Sequence, residues 1–170
     1  MMRAILLCCC ALLCTQGCIR KAAPKEKPEV YLEVLESARS RTAESLAQAA
    51  IKLGDMREKR AVEPLLPLLA HADARVRLQT AMALGQLGDQ RAAAPLLKAL
   101  TAEKFGPTRS IIAWALGETG SQDDREALNA MILAEKSKEI YGGQGRVNQK
   151  YLEVLEKAAA KIESRFRGRA

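Results

Sequence analysis

The residue types that do most covalent and metal chemistry are sparse in this 170-residue chain. All five cysteines (Cys8, Cys9, Cys10, Cys14 and Cys18) fall in the first eighteen positions, so the body holds no thiol for a disulfide framework, a zinc site or a nucleophile. His71 is the single histidine. A metal there would need carboxylates alone beside it, and a His-based triad would have no cysteine in the body to activate. His71 is therefore read as a surface turn residue. Asp123-Asp124 stands where a helix should begin and is read as stabilising the helix dipole rather than binding a cation. Gly142, Gly143 and Gly145 lack the strand-to-helix context of a phosphate or dinucleotide loop and read as a flexible loop. These observations assign no catalytic residue, no metal ligand and no cofactor, so the chain reads as non-enzymatic.

The remaining polar candidates suit binding rather than catalysis. Arg77 and Arg109 hold equivalent places in successive sequence units, which predicts a structural ladder with Asp73, Glu103 or backbone carbonyls; direct ligand binding is the alternative. Counting 100° per residue puts Arg75, Gln79, Met82 and Gln86 on the side of one helix away from its apolar stripe, with Ile111, Trp114 and Glu118 at matching places one unit on. These seven residues form a candidate partner-binding strip centred on the only tryptophan, a residue type enriched at binding hot spots. The competing reading is that Met82 and Trp114 pack between repeats or under the terminal helix.

The elements that must position this strip are helical. Hydrophobic residues make up 48% of the chain but aromatics only 4%, with Ala and Leu abundant, which suits packed helices and excludes an all-β fold. The length leaves room for about one domain. Ala61-Val62-Glu63-Pro64-Leu65-Leu66-Pro67-Leu68-Leu69 recurs 31 positions later as Ala92-Ala93-Ala94-Pro95-Leu96-Leu97-Lys98-Ala99-Leu100. Ala81-Met82-Ala83-Leu84-Gly85-Gln86-Leu87-Gly88 recurs after 32 positions as Ala113-Trp114-Ala115-Leu116-Gly117-Glu118-Thr119-Gly120. A decayed copy of the second half covers Ala47 to Gly54, and a later copy of the first half covers Arg125 to Leu133. Each unit reads as two helices. Val76, Thr80, Ala83, Leu84 and Leu87 make one apolar stripe, and Leu65, Leu66 and Leu69 make its partner. Gly88 and Gly120 are placed for left-handed helix stops, Asp89 and Ser121 for caps, and Pro107 for a first turn. Pro67, by contrast, should bend its helix.

These units resemble HEAT repeats of the short bacterial, phycobilisome-lyase HEAT-like type, whose units close with an A-L-G-x-L-G-D segment. This chain carries it as Ala83-Leu84-Gly85-Gln86-Leu87-Gly88-Asp89, and nearly so as Ala115-Leu116-Gly117-Glu118-Thr119-Gly120-Ser121. The family's Val-Arg is present as Val76-Arg77 and reduced to Thr108-Arg109. The resemblance is strong over about residues 61–133. It implies an all-α solenoid of stacked helical hairpins whose second helices line the concave face. Tyr31-Leu32-Glu33-Val34-Leu35-Glu36, repeated as Tyr151-Leu152-Glu153-Val154-Leu155-Glu156, marks the expected terminal capping helices, and residues 136–147 are predicted as a loop.

The first eighteen residues read as an address. Arg3 precedes the apolar run Ala4–Cys14, whose eleven residues rise only about 16 Å as a helix, too short for a bilayer but suited to a secretory signal peptide. Gly17-Cys18 resembles the lipobox of bacterial lipoproteins, although Thr15 and Gln16 depart from the family's usual residues. The resemblance implies cleavage before a lipid-modified Cys18, a lipidation site that serves as the membrane anchor, and Ile19 in place of an aspartate points to the outer rather than the inner membrane. The expected domains are a signal peptide at 1–17, a lipidated cysteine and tether at 18–29, a HEAT-like repeat domain at 30–166, and a basic tail at 167–170. The formal charge of +7, still +6 without Arg3, favours acidic partners, lipid headgroups or nucleic acid without choosing among them.

Together these features predict a lipid-anchored, non-catalytic scaffold that binds a protein partner in the bacterial cell envelope, with no nucleic acid and no small-molecule substrate. A bilin-lyase-like enzyme or a nucleic-acid-binding protein is the alternative if the chain is not exported.

Overall fold

The computed structural model describes residues 27–37, 41–140 and 148–167, with side chains of 138–140 excepted; the predicted signal peptide, Cys18 and most of the tether lie outside these residues. Eight α-helices and no strand occur among the described residues: α1 (Pro28–Glu36), α2 (Ala43–Asp55), α3 (Val62–Leu65), α4 (Ala74–Leu87), α5 (Ala93–Ala102), α6 (Gly106–Thr119), α7 (Gln122–Ile140) and α8 (Gln149–Arg167). Consecutive helices pair as hairpins, and the hairpins stack in two layers. Second helices α2, α4, α6 and α8 pack in one row, while α1, α3, α5 and α7 form the other. This is an all-α solenoid of four helical hairpins. The duplicated Tyr-Leu-Glu-Val-Leu-Glu segments lie in its two terminal helices, one in each layer.

The core follows the predicted stripes. Val76, Thr80, Ala83, Leu84 and Leu87 are all buried, as are Leu65 and Leu69, and Leu46, Leu96, Ile112, Leu116, Leu128, Leu155 and Ile162 join them in one continuous core. No single hairpin could bury such a stripe alone, so each layer depends on its neighbour.

Glycine sets the spacing of the second-helix row. A Cβ at Gly117 would lie 2.8 Å from Ala158 Cα, one at Gly85 3.0 Å from Ala115 Cα, and one at Gly54 2.9 Å from Ala83 Cα. Each glycine thus admits the backbone of the following helix at a distance no side chain allows. This equivalence corrects the register read from the first repeat: Gly54 occupies the place of Gly85 and Gly117, not that of Gly88. The left-handed stop belongs there to Arg57, with φ 53°, 31 positions before Gly88 at φ 63°. Gly120 departs from the expectation too. Its backbone is extended (φ −65°, ψ 157°), and what it needs is space, since a Cβ would press on Leu116 O and Ile162 Cδ1.

The capping signals hold. The Asp89 carboxylate accepts from Arg91 N, and Ser121 forms a reciprocal box with Asp124, whose carboxylate accepts from Ser121 N at 2.7 Å while Asp124 N donates to Ser121 Oγ. Pro67 does more than bend its helix: α3 ends at Leu65, and Leu66–Ala70 continues as a 3₁₀ turn. The predicted loop at 136–147 is shorter than expected, because Glu135-Lys136-Ser137-Lys138-Glu139 contains no helix breaker and α7 runs on to Ile140, with Lys136 Nζ paired to Glu156 at 2.7 Å on α8. The glycines of 141–147 lie outside the described residues. Arg165 and Phe166, at the end of α8, belong to the fold, Phe166 packing on the core and Arg165 donating to the C-terminal carbonyls of α6 at Gly117 and Glu118.

Gly117→Val is expected to cost about 3 kcal/mol or more, because neither Ala158's backbone nor Gly117's helix can retreat without opening the core. Gly106→Ala, at a first-turn site with open space around it, is expected to stay within about 0.5 kcal/mol of wild type. Urea unfolding of the two variants checks the contrast; equal losses would remove the close-approach role assigned to Gly117.

Candidate partner-binding face

The glycine register aligns the second helices rung by rung. Three residues before each glycine stand Ile51, Met82 and Trp114; six before stand Gln48, Gln79 and Ile111; one after stand Asp55, Gln86 and Glu118. Contacts between neighbouring helices confirm the alignment. Gln86 Nε2 donates to Asp55 Oδ1 at 3.4 Å, Arg75 Nη1 lies 3.7 Å from Glu44 Oε2, and Lys161 Nζ on α8 lies 2.6 Å from Glu118 Oε1. The seven predicted residues therefore share one surface, extended by Glu44, Gln48, Ile51 and Asp55 on α2 and by Val154, Lys157 and Lys161 on α8.

Their environments differ. Arg75 is exposed and its guanidinium also meets Asp73 at 3.0 Å, which raises the Arg75 pKa and lowers that of Asp73 through the shared hydrogen bonds. Gln79, Met82, Gln86, Ile111 and Glu118 are half-buried. Trp114 packs between repeats and also reaches the surface. Its ring lies over Gly85, filling the space a Cβ there would take, while 37% of the residue remains exposed. Ile51 is exposed to the same extent, so an apolar line of Ile51, Met82 and Trp114 runs across α2, α4 and α6, flanked by glutamines and charges.

Two grooves open on this face. One of about 330 Å³ lies between α2 and α4, lined by Glu44, Gln48, Ile51, Arg75 and Gln79. The other, of about 370 Å³ between α6 and α8, is walled by Ile111, Trp114, Val154, Ala158, Lys157 and Lys161. Sequence reasoning stopped short of the α8 residues because the last hairpin has no glycine to mark the register. A larger groove, about 640 Å³, lies on the opposite layer between the 3₁₀ turn and α5, lined by Leu66, Pro67, Ala70, Pro95, Lys98 and Ala102.

The predicted arginine ladder is built once in full. Arg77 makes a two-pronged pair with Glu103 (Nε–Oε2 2.7 Å, Nη2–Oε1 3.0 Å) and donates to His71 O and Ala72 O. The bond to Arg77 holds the Glu103 carboxyl below its ordinary range, against the opposing effect of burial. Glu103 also accepts from Lys104 N and Phe105 N, tying the end of α5 to the start of α6. One unit on, Arg109 instead stands over the Tyr151 ring, 4.5 Å from its centre. Burial raises the Tyr151 hydroxyl pKa, with Arg109 acting in the other direction. His71 stands 32 positions before Glu103 and plays a related part, its Nδ1 accepting from Asp73 N at 3.0 Å. It is half-buried and fixes a turn rather than decorating one.

Two stacked layers of paired helices, with a continuous polar and apolar face on one layer, define an α-solenoid of the kind that serves as a scaffold for protein interaction. Residues 28–117 match the family described as HEAT repeats, which is more than half of the chain, and the protein belongs to that family. The match begins at α1, so the first hairpin, legible in the sequence only as a decayed copy, is part of the repeat array. No curated protein matches the chain.

Glu103→Gln is expected to destabilise the fold by about 3 kcal/mol near neutral pH, because it leaves the Arg77 charge without its partner. Glu103 is more acidic folded than unfolded, so its contribution is complete above the ordinary value of 4.5 and is lost as pH falls through the lower folded value. Urea midpoints of wild type and variant should therefore converge as pH drops below about 4.5. A gap independent of pH would remove the ion pair as its cause.

Proposed function

We propose that this protein is a lipid-anchored, non-catalytic HEAT-repeat scaffold that presents its second-helix face to a protein partner in the bacterial cell envelope. The observation that carries the reading is Trp114: a large aromatic residue left more than one-third exposed on a rigid, continuous surface whose neighbours are Met82, Ile111 and half-buried glutamines. Such a patch, apolar at its centre and polar around it, suits a protein interface. The residue types for catalysis or metal binding are sparse in the body, and the family is one of interaction scaffolds, which together favour binding over chemistry.

The address rests on Arg3, the Ala4–Cys14 apolar run and Gly17-Cys18, followed by the Lys- and Pro-rich segment before α1. On this reading Cys18 carries the lipid, residues 19–27 tether it, and Ile19 favours the outer membrane. No helix among the described residues is long and apolar enough to cross a membrane, so the lipid would be the anchor.

Intact mass of the N-terminal peptide from protein expressed in a bacterial host, with membrane fractionation, tests the address. A chain beginning at a lipid-modified Cys18, and release to the soluble fraction with Cys18→Ser, are expected. A soluble chain beginning at Met1 would overturn the anchor and restore weight to the bilin-lyase and nucleic-acid readings. For the face, a photocrosslinking residue at Gln79 should trap a partner in cells, and Trp114→Ala should reduce that crosslink at least tenfold while circular dichroism stays helical. Undiminished crosslinking in a folded variant would remove Trp114 from the interface.

A further inference from the structure

The groove between α6 and α8 differs from the rest of the face in its charge. Its floor and sides are apolar: Ile111 and Trp114 from α6, Val154 and Ala158 from α8, with Gly117 and Ala158 in contact at the bottom. Along the α8 wall run Lys157 and Lys161, one turn apart, and Arg165 follows one turn later. Of these, Lys157 and Lys161 line the groove, and the one carboxylate that lines it is Glu118. Glu118 lies 2.6 Å from Lys161, and Arg165 spends its donors on the carbonyls of Gly117 and Glu118. Lys157 remains exposed at the rim beside the Trp114 wall. At the other end of the same face Glu44 and Asp55 are matched by Lys52 and Arg75, so the excess of positive charge is local to the last hairpin.

We infer that the α6–α8 groove takes an acidic segment of the protein partner, seating one aromatic or branched aliphatic side chain on Trp114 with a neighbouring carboxylate against Lys157. A volume of about 370 Å³ suits one or two side chains. A cation at the rim of an apolar groove matches a carboxylate next to an apolar side chain, and attraction across exposed groups steers association while the apolar contact supplies most of the hold. This assignment rests on the second-helix face being the interface, and adds the chemistry and orientation of what binds: the acidic part of the partner lies toward α8.

Trp114 is the chain's only tryptophan, so its emission reports on this groove directly. The full chain would be titrated with two tryptophan-free synthetic peptides, Asp-Glu-Phe-Leu-Glu-Asp and Lys-Arg-Phe-Leu-Arg-Lys, and separately with phosphatidylglycerol vesicles. The acidic peptide alone should shift Trp114 emission saturably. Lys157→Glu, which alters an exposed side chain and spares the Lys161–Glu118 pair, should weaken the response about tenfold, and raising ionic strength from about 0.05 to 0.5 M should weaken it as well. Equal response to both peptides, an unchanged response in folded Lys157→Glu, or a response to vesicles alone would overturn the assignment. Failure of the peptides while Trp114→Ala still reduces the Gln79 crosslink would leave the interface standing and remove only the acidic-segment chemistry. Failure of both experiments would remove the interface with it.

Discussion

The close approach of successive second helices is the constraint on which the remainder of the structure depends. Gly54, Gly85 and Gly117 let each helix of that row rest on the backbone of the next, and every functional feature inherits its position from that spacing. Because the helices nearly touch at these points, side chains three, six and one positions away are brought into rungs rather than left as unrelated surface residues. The same contact gives Trp114 its double character. Its ring covers Gly85 on the preceding helix, which holds it in place, and cannot sink further because the backbone is already there, which leaves it exposed. An aromatic side chain fixed in this way loses little conformational freedom when a partner arrives.

The opposite layer answers to different physics. There the first helices of the first three hairpins are shorter, the second of them is interrupted where Pro67 forfeits a backbone hydrogen bond, and polar clasps hold the turns. Glu58 accepts from Arg60 N, and Arg60 reaches Glu29 at 3.1 Å on the preceding first helix; 31 positions later Asp89 accepts from Arg91 N, and Arg91 reaches Glu63 at 3.0 Å. Hydrogen bonding by Arg91 lowers the Asp89 pKa to about 2. These exposed pairs add little stability individually. Their consequence is geometric, since each fixes where one hairpin ends and the next begins. The Arg77–Glu103 pair, with Glu103 buried, performs the same task between α5 and α6 at greater energetic stake.

Much of this was legible in the sequence because both the period and its punctuation survive there. The apolar stripe from Val76 to Leu87, the interruption at Pro67 and the Asp89 and Ser121 caps each follow from a local rule, and each stands where that rule put it; Arg77 takes Glu103 and two backbone carbonyls from among the partners that the repeat offered it. What was misread depended on distance across the fold. Gly54 was paired with Gly88 because sequence similarity cannot tell a glycine that ends a helix from one that admits a neighbouring helix. Gly120 was taken for a left-handed stop when its backbone is extended and a Cβ there would press on Leu116 O and, from forty-two residues away, on Ile162.

The basic wall of the α6–α8 groove was hidden for a related reason. The repeat ends before α8, so Lys157 and Lys161 have no counterparts from which to infer a register, and a helix ending in Arg165-Phe166-Arg167 resembles a charged tail when read alone. Only packing assigns its sides. Ala158 against Gly117 turns Val154, Lys157 and Lys161 toward the face shared with Trp114, while Glu156 and Glu163 turn toward α7 and pair with Lys136 and Arg125. Lys157 and Lys161 are thereby set on the side of the helix away from Glu156 and Glu163. The positive charge of that face is a product of the last hairpin's packing, and no count of lysines along the chain would have located it.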